Sequence, residues 1–80
     1  MDQSLLTPIE QYVIDKVREL RTAKGISQRE LSYRTELSIG FLGDVESTKS
    51  RAKYNINHLN LLAKALECSP REFLPDYPLE

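Results

Sequence analysis

Apolar residues fall in four stretches of the chain. In the first, third and fourth they include positions three or four residues apart, which lie on one face of an α-helix, and the second contributes Leu31 alone. The pattern predicts helices over about residues 8–24, 28–35, 39–46 and 56–67. The apolar positions are Ile9, Val13, Val17 and Leu20 in the first stretch, Leu31 in the second, Leu42 and Val45 in the third, and Ile56, Leu59, Leu61, Leu62, Ala63, Ala65 and Leu66 in the fourth.

Short polar signals mark where these helices begin. Thr7, Ser27 and Ser69 each stand three residues before a glutamate, the spacing of a capping box. The third of these sequences predicts a short fifth helix over about 70–74, whose apolar residues can close the core. Ser38 and Asn55 are the N-caps expected for the third and fourth helices, and Gly25 supplies a left-handed residue after the first.

The predicted fold is all-α, with five helices and no sheet. The 80 residues, 40% hydrophobic and 29% charged, fit a single globular domain over residues 1–80. Residues 1–7 are expected to form a loose N-terminal arm and residues 75–80 a C-terminal tail. The chain has no long apolar run and no signal-peptide pattern, so we expect a cytoplasmic protein.

Charge is distributed unevenly, although the net charge is only −1. The span from Ser47 to Leu66 carries four cations and no acid, whereas the span from Glu67 to Glu80 has a charge of −3. Between the third and fourth helices lies a loop of about nine residues, and we call its residues 49–54 the basic loop. Such a loop is either a binding surface for an anionic partner or a set of solvated lysines.

Enzymatic chemistry and metal binding find no support in the residue pattern. The single histidine, His58, has no acidic partner nearby in sequence and is expected to be an exposed helix residue rather than a ligand. Cys68 stands beside the apolar end of a helix and is expected to fill the core rather than to act as a reactive thiol. We therefore expect a protein that is not an enzyme and has neither cofactor nor metal.

The chain resembles the lambda-repressor-like, XRE-type (Cro/C1-type) helix-turn-helix DNA-binding domain family over about residues 9–75. The resemblance implies a five-helix bundle with the helix-turn-helix at helices 2 and 3, and a DNA-binding transcriptional regulator of bacterial or phage type. It is carried by Arg18–Arg21, Gly25–Gln28, Glu30-Leu31, the turn Glu36–Ser38, Leu42…Val45-Glu46, Leu59…Ala63–Leu66 and Ser69…Glu72–Leu74.

The resemblance also implies which residues meet DNA. The start of helix 2 would face a phosphate, the start of helix 3 would enter the major groove, and the basic loop would lie along the backbone. Three cations in the loop would give a salt slope of about −3 per monomer. The implied DNA-binding residues are Ser27, Gln28, Arg29, Ser38, Ile39, Gly40, Phe41, Asp44, Lys49, Arg51, Lys53 and Tyr54.

The residues at the expected base-reading positions are unusual for such a domain. Ile39, Gly40 and Phe41 have no polar side chain, so base contacts would be made largely with thymine methyl groups. Asp44 can accept from a cytosine amine but would be repelled by phosphates. Phe41 is either a reader or a core residue, and Gln28 is either a phosphate ligand or an exposed helix residue. The same surface would suit a protein partner, so an antitoxin-like interaction module is the alternative function.

Two further roles follow from the resemblance. Arg21 and Glu46 are expected to form an ion pair that ties helix 1 to helix 3 and fixes how the latter projects. Family members often bind as two-fold dimers. A homodimer here would use the fifth helix and the tail, although the same residues can seal a monomer instead. They are Phe73, Leu74, Tyr77 and Leu79.

Overall fold

Four α-helices make up most of the computed structural model, which describes residues 6–80. The helices are α1 (Pro8–Ala23), α2 (Gln28–Thr35), α3 (Ile39–Glu46) and α4 (Ile56–Leu66), and a 3-10 helix follows at Pro70–Phe73. No strand occurs within residues 6–80, so the all-α prediction is confirmed for that range. The expected N-terminal arm falls largely outside the described residues.

The prediction of a fifth α-helix over about residues 70–74 is wrong. Residues Pro70–Phe73 form a single 3-10 turn, in which Ser69 Oγ accepts from the Arg71 amide at 3.2 Å. Leu74 has extended dihedrals, φ −110° and ψ 147°. The following Pro75 explains this, because a proline ring disfavours the α conformation of the preceding residue. The turn therefore cannot continue into an α-helix.

Helix capping follows the sequence signals only in part. At Thr7 the box is complete, since Glu10 Oε1 accepts from the Thr7 amide at 2.9 Å. Ser27 Oγ accepts from the Glu30 amide at 3.0 Å, but the Glu30 carboxylate bonds Arg34 at 2.8 Å instead of completing the predicted box. Helix α2 therefore begins with half of the motif.

The core lies between the four helices and the 3-10 helix. α2 packs against both α3 and α4, and the 3-10 helix packs against α1 and α4. Cys68 is half-buried at the edge of the core. The residues with the most deeply buried side chains are Val17, Leu31, Leu42, Val45, Leu62, Leu66 and Phe73.

Three apolar positions assigned to buried helix faces are exposed. Ile56 is 75% exposed because it is the first residue of α4, whose buried face begins only at Leu59. Ile9, in the first turn of α1, and Leu61, at the border of the α4 stripe, are also exposed.

The residues predicted for a dimer surface divide into two groups. Phe73 has no exposed surface and packs in the core, so its assignment to a dimer interface is wrong. Leu74, Tyr77 and Leu79 remain exposed, with Tyr77 the most open at 80%. The 3-10 helix thus seals the domain, and of the four residues only Leu74, Tyr77 and Leu79 are available to a partner.

Three of the four α-helices are followed by a left-handed residue, and two of these residues are not glycine. Gly25 has φ +70° in the turn after α1, as predicted. Glu36 ends α2 with φ 65° and Glu67 ends α4 with φ 55°. A left-handed conformation costs a residue with a Cβ about 1–2 kcal/mol, so both positions carry strain. Among the described residues, no helix is both long enough and apolar enough to span a membrane.

Candidate nucleic-acid interface

The turn between α2 and α3 is fixed by side-chain hydrogen bonds. Thr35 is buried, and its Oγ1 accepts from the Leu37 amide at 3.2 Å and donates to the Leu31 carbonyl at 2.7 Å. Ser32 Oγ donates to the Leu37 carbonyl. Glu36 ends α2 in a left-handed conformation, and the chain changes direction there before α3 begins. Side chains at the end of α2 therefore hold the backbone of Leu37, in the turn, against that helix.

Helix α3 divides into a buried face and an outward face. Leu42 and Val45 are buried, while Ile39 (46% exposed), Gly40 and Asp44 face outward. We call these three outward residues the reading face. Ser38 caps the helix, because its Oγ accepts from the Phe41 amide at 3.0 Å.

Phe41 turns away from the reading face. Its ring is half-buried and packs against Tyr54, with the centroids 6.0 Å apart, and against His58 at 4.9 Å. It also contacts the main core. These contacts favour the packing alternative for Phe41, in which it joins α3 to the loop that follows and to the start of α4.

A buried ion pair joins the end of α3 to α1. Arg21 donates from Nη2 to Glu46 Oε1 at 2.8 Å and from Nε to Oε2 at 3.1 Å. The two side chains are only 10% and 6% exposed. The remaining Nη1 group donates to the Ile26 carbonyl at 2.7 Å. A two-point pair with this geometry fixes the orientation of α3 as well as its distance from α1.

Gln28 belongs to the same network rather than standing alone at the start of α2. Its Nε2 donates to Glu46 Oε1 at 2.9 Å. Neighbouring Ser27 caps α2, and Arg29 is exposed with no ion pair among the described residues. Sequence reasoning missed the bond between Gln28 and Glu46, because nothing local indicates contact between residues eighteen positions apart.

Two cations of the basic loop are free of ion pairs within residues 6–80, whereas the third, Lys53, is paired. Lys49 and Arg51 are exposed, and within residues 6–80 neither forms an ion pair. Lys53 Nζ instead lies 2.8 Å from Glu10 Oε2. This contact and the Thr7 cap hold the pKa of the Glu10 carboxyl below its ordinary value. The loop is thereby attached to the start of α1.

Tyr54 packs the basic loop against α3 and the start of α4. Its ring packs edge-on against Phe41 and His58, and its hydroxyl is buried. Burial raises the pKa of this hydroxyl, and the Glu46 carboxylate raises it further. Tyr54 therefore supports the loop from beneath rather than presenting its hydroxyl to a partner.

His58 has a structural role that the sequence analysis did not anticipate. Its Nδ1 accepts from the Asn55 amide at 3.0 Å while Asn55 Oδ1 accepts from the His58 amide at 2.8 Å. The imidazole thus replaces the glutamate of a capping box. The spacing of Asn55 and His58, three residues apart like the two members of a capping box, was the signal in the sequence for this role.

The fold and this interface define a helix-turn-helix protein of the DNA-binding class. A family model described as the Cro/C1-type HTH DNA-binding domain matches residues 16–78, and the chain belongs to that family. The resemblance drawn from the sequence is confirmed.

Among solved structures, the chain is similar to the restriction-modification controller protein C.AhdI from Aeromonas hydrophila. The two are 35% identical, the match covers 79% of this chain and 92% of that one, and the TM-score is 0.70. A comparison with curated proteins found no match.

Proposed function

We propose that this protein is a sequence-specific double-stranded DNA-binding regulator of transcription. In this proposal α3 enters the major groove with Ile39, Gly40 and Asp44 toward the bases, and the basic loop follows the phosphate backbone. The observation that carries it is the rigid presentation of α3. The Arg21–Glu46 pair joins the end of α3 to α1, and the outward face of α3 remains exposed.

The charge distribution supports contact with a polyanion. Lys49 and Arg51 are exposed in a span without acidic residues and directly follow α3 in the chain. Each cation that neutralises a phosphate adds about 0.9 to the magnitude of the salt slope. Because Lys53 is paired with Glu10, two loop contacts per monomer are proposed in place of three.

The similarity to C.AhdI supports a regulator of the controller type, in a bacterial or phage setting.

We further propose that two copies associate through the exposed tail residues Leu74, Tyr77 and Leu79. Sedimentation of the parent and of Tyr77→Ser at matched concentrations tests this: the parent should sediment as a dimer and the variant as a monomer. A monomeric parent at micromolar concentration would contradict the dimer.

Duplex binding at low salt tests the main proposal. The parent should shift a mixed-sequence duplex at micromolar protein, since nonspecific binding has a Kd of about 10⁻⁴–10⁻⁶ M at physiological salt and becomes tighter as the salt concentration falls. The double substitution Lys49→Gln/Arg51→Gln should abolish that shift. Lys64→Gln, which removes one exposed positive charge outside the loop, is the control for each of the single substitutions Lys49→Gln and Arg51→Gln, because Lys64 lies eight residues into α4, about 12 Å from its start. If the parent shifts no duplex, the protein-interaction alternative is favoured.

A further inference from the structure

Ile39 is an apolar residue at the start of α3 that the core does not use. It directly follows the Ser38 cap, and its side chain is 46% exposed. A helix start is often held by an apolar residue just before the cap, which packs against the fourth residue of the helix. Leu37 stands in that position and packs against the core cluster that contains Leu42, whereas Ile39 lies outside this cluster. Ile39 is therefore not needed to hold the start of α3.

The position of Ile39 within α3 places it at the base edges in the proposed complex. In a helix-turn-helix, the N-terminal residues of the second helix contact the bases in the major groove, and Ile39 is the first residue of that helix. Gly40, next to it, has no side chain, and a Cβ there would meet nothing within 4 Å. Space beside Ile39 is therefore open to a group of the duplex.

An aliphatic side chain at the base edges favours a methyl group as its partner. A purine presents N7 in the major groove, an acceptor that isoleucine cannot satisfy, and covering it without a hydrogen bond costs free energy. Thymine instead presents a methyl group on C5. A cytosine methylated at C5 presents the same group on the same carbon. Thymine and 5-methylcytosine are therefore equivalent at the atom that Ile39 can contact.

The other two residues of the reading face cannot sense a methyl group. Gly40 has no side chain, and the Asp44 carboxylate is an acceptor that suits the N4 amine of a cytosine. Asp44 also lies five residues beyond Ile39, about 7.5 Å along the helix axis, so the two reach different base pairs. Recognition of a methyl group by the reading face therefore depends on Ile39 alone.

We propose that Ile39 reads the C5 methyl group of a pyrimidine, so that the protein binds a duplex more tightly when the cytosine at that base pair is methylated at C5. The proposal rests on the proposed DNA-binding function. It adds 5-methylcytosine to the ligands of the reading face and makes cytosine methylation a change in the duplex to which the protein responds.

Matched duplexes that differ by one methyl group test the assignment. A sequence that the parent enriches from a randomised pool is synthesised again with deoxyuridine in place of each thymine in turn, which removes the methyl group and keeps the base pairing. One of these replacements should lower the affinity of the parent about 4-fold, the effect of burying one methyl-sized group. At the same base pair, 5-methylcytosine should bind more tightly than cytosine by a similar factor.

Ile39→Ala removes the protein side of the same contact. The variant should bind the two members of each matched pair of duplexes equally. Because Ile39 is exposed and lies outside the core cluster, the variant should melt as the parent does. Lys49→Gln is the control, since Lys49 is an exposed cation of the basic loop: it should weaken binding to every duplex and keep the difference within each pair.

The two proposals fail in distinguishable ways. If the parent enriches no sequence, sequence-specific DNA binding is overturned and the role of Ile39 with it. If the parent enriches a sequence but binds both members of every matched pair equally, the role of Ile39 alone is overturned. The same follows if Ile39→Ala retains the difference. The comparison of duplexes with the parent changes only the DNA, so it decides the matter even if a variant does not fold.

Discussion

Glu46 forms three side-chain hydrogen bonds at the candidate interface, as many as its partner Arg21. It accepts two from Arg21 and one from Gln28, and it is almost fully buried. Such a pair adds little net stability relative to apolar residues, but removing one partner leaves a buried charge uncompensated. The pair therefore determines how α3 is presented rather than contributing a large surplus of stability.

Replacing Glu46 with alanine should strongly destabilise the fold. The expected loss is about 3–5 kcal/mol, a large share of the roughly 4–12 kcal/mol expected for a domain of this size. Urea unfolding of Glu46→Ala measures it. Glu19→Ala is the control, since it removes only the exposed Lys16–Glu19 pair and should cost less than about 1 kcal/mol. Equal midpoints for Glu46→Ala and the parent would contradict the role assigned to the pair.

A substitution at Gly40 distinguishes effects on stability from effects on DNA binding at the reading face. A Cβ at this position would meet nothing within 4 Å, so the fold does not require glycine there. Because alanine favours helix, Gly40→Ala should raise the free energy of unfolding by up to about 1 kcal/mol. The same change should weaken duplex binding, since the added methyl group lies on the face proposed to approach DNA. A destabilised variant with unchanged affinity would contradict both parts.

Helices, as elements, were predicted from local signals with good success. Apolar spacing and the caps Thr7, Ser27, Ser38 and Asn55 set the four helix starts, since these signals act within a few residues. Local signals failed where a distant or following residue decides the outcome. Pro75 stops the turn at Pro70–Phe73, and Arg34 withdraws Glu30 from the cap of Ser27.

The strained end of α4 gives a prediction for a single element. Glu67 has φ 55°, a conformation that costs a side-chain-bearing residue about 1–2 kcal/mol. Glu67→Gly removes that strain but gains freedom in the unfolded chain, so the net stabilisation should be about 0.5–1 kcal/mol. Thermal melting measures it, with Gly25→Ala as the opposite change, which should lower the melting temperature. A lower melting temperature for Glu67→Gly would show that the conformation carries no strain.

The attachment of the basic loop to α1 depends on pH. The pKa of Glu10 lies below its ordinary value of 4.5 in the folded protein, chiefly because of Lys53. The stabilisation is therefore present above about pH 4.5 and is lost as the pH falls through the lowered pKa. Glu10→Gln should unfold at lower urea than the parent at neutral pH, and the difference should vanish in acid. A difference that persists below that pKa would contradict this contribution.

At the scale of the whole molecule, the sequence indicated the partner class but not the contacts. The acid-free span and the family resemblance pointed to DNA, and the family is confirmed. The pairing of Lys53 with Glu10 joins residues forty-three positions apart, and the contact of Gln28 with Glu46 joins two helices. No local pattern encodes such pairs, because they depend on how the helices pack.

The central claim is that the surface formed by α3 and the basic loop binds duplex DNA through a small number of cations. The salt dependence of binding to a mixed-sequence duplex tests it most directly. With Lys49 and Arg51 as the loop contacts, the parent should give a slope of log K against log salt of about −1.8 per monomer, and Glu10→Gln, which frees Lys53, about −2.7. An affinity that does not change with salt, or no binding at micromolar protein and low salt, would contradict the account.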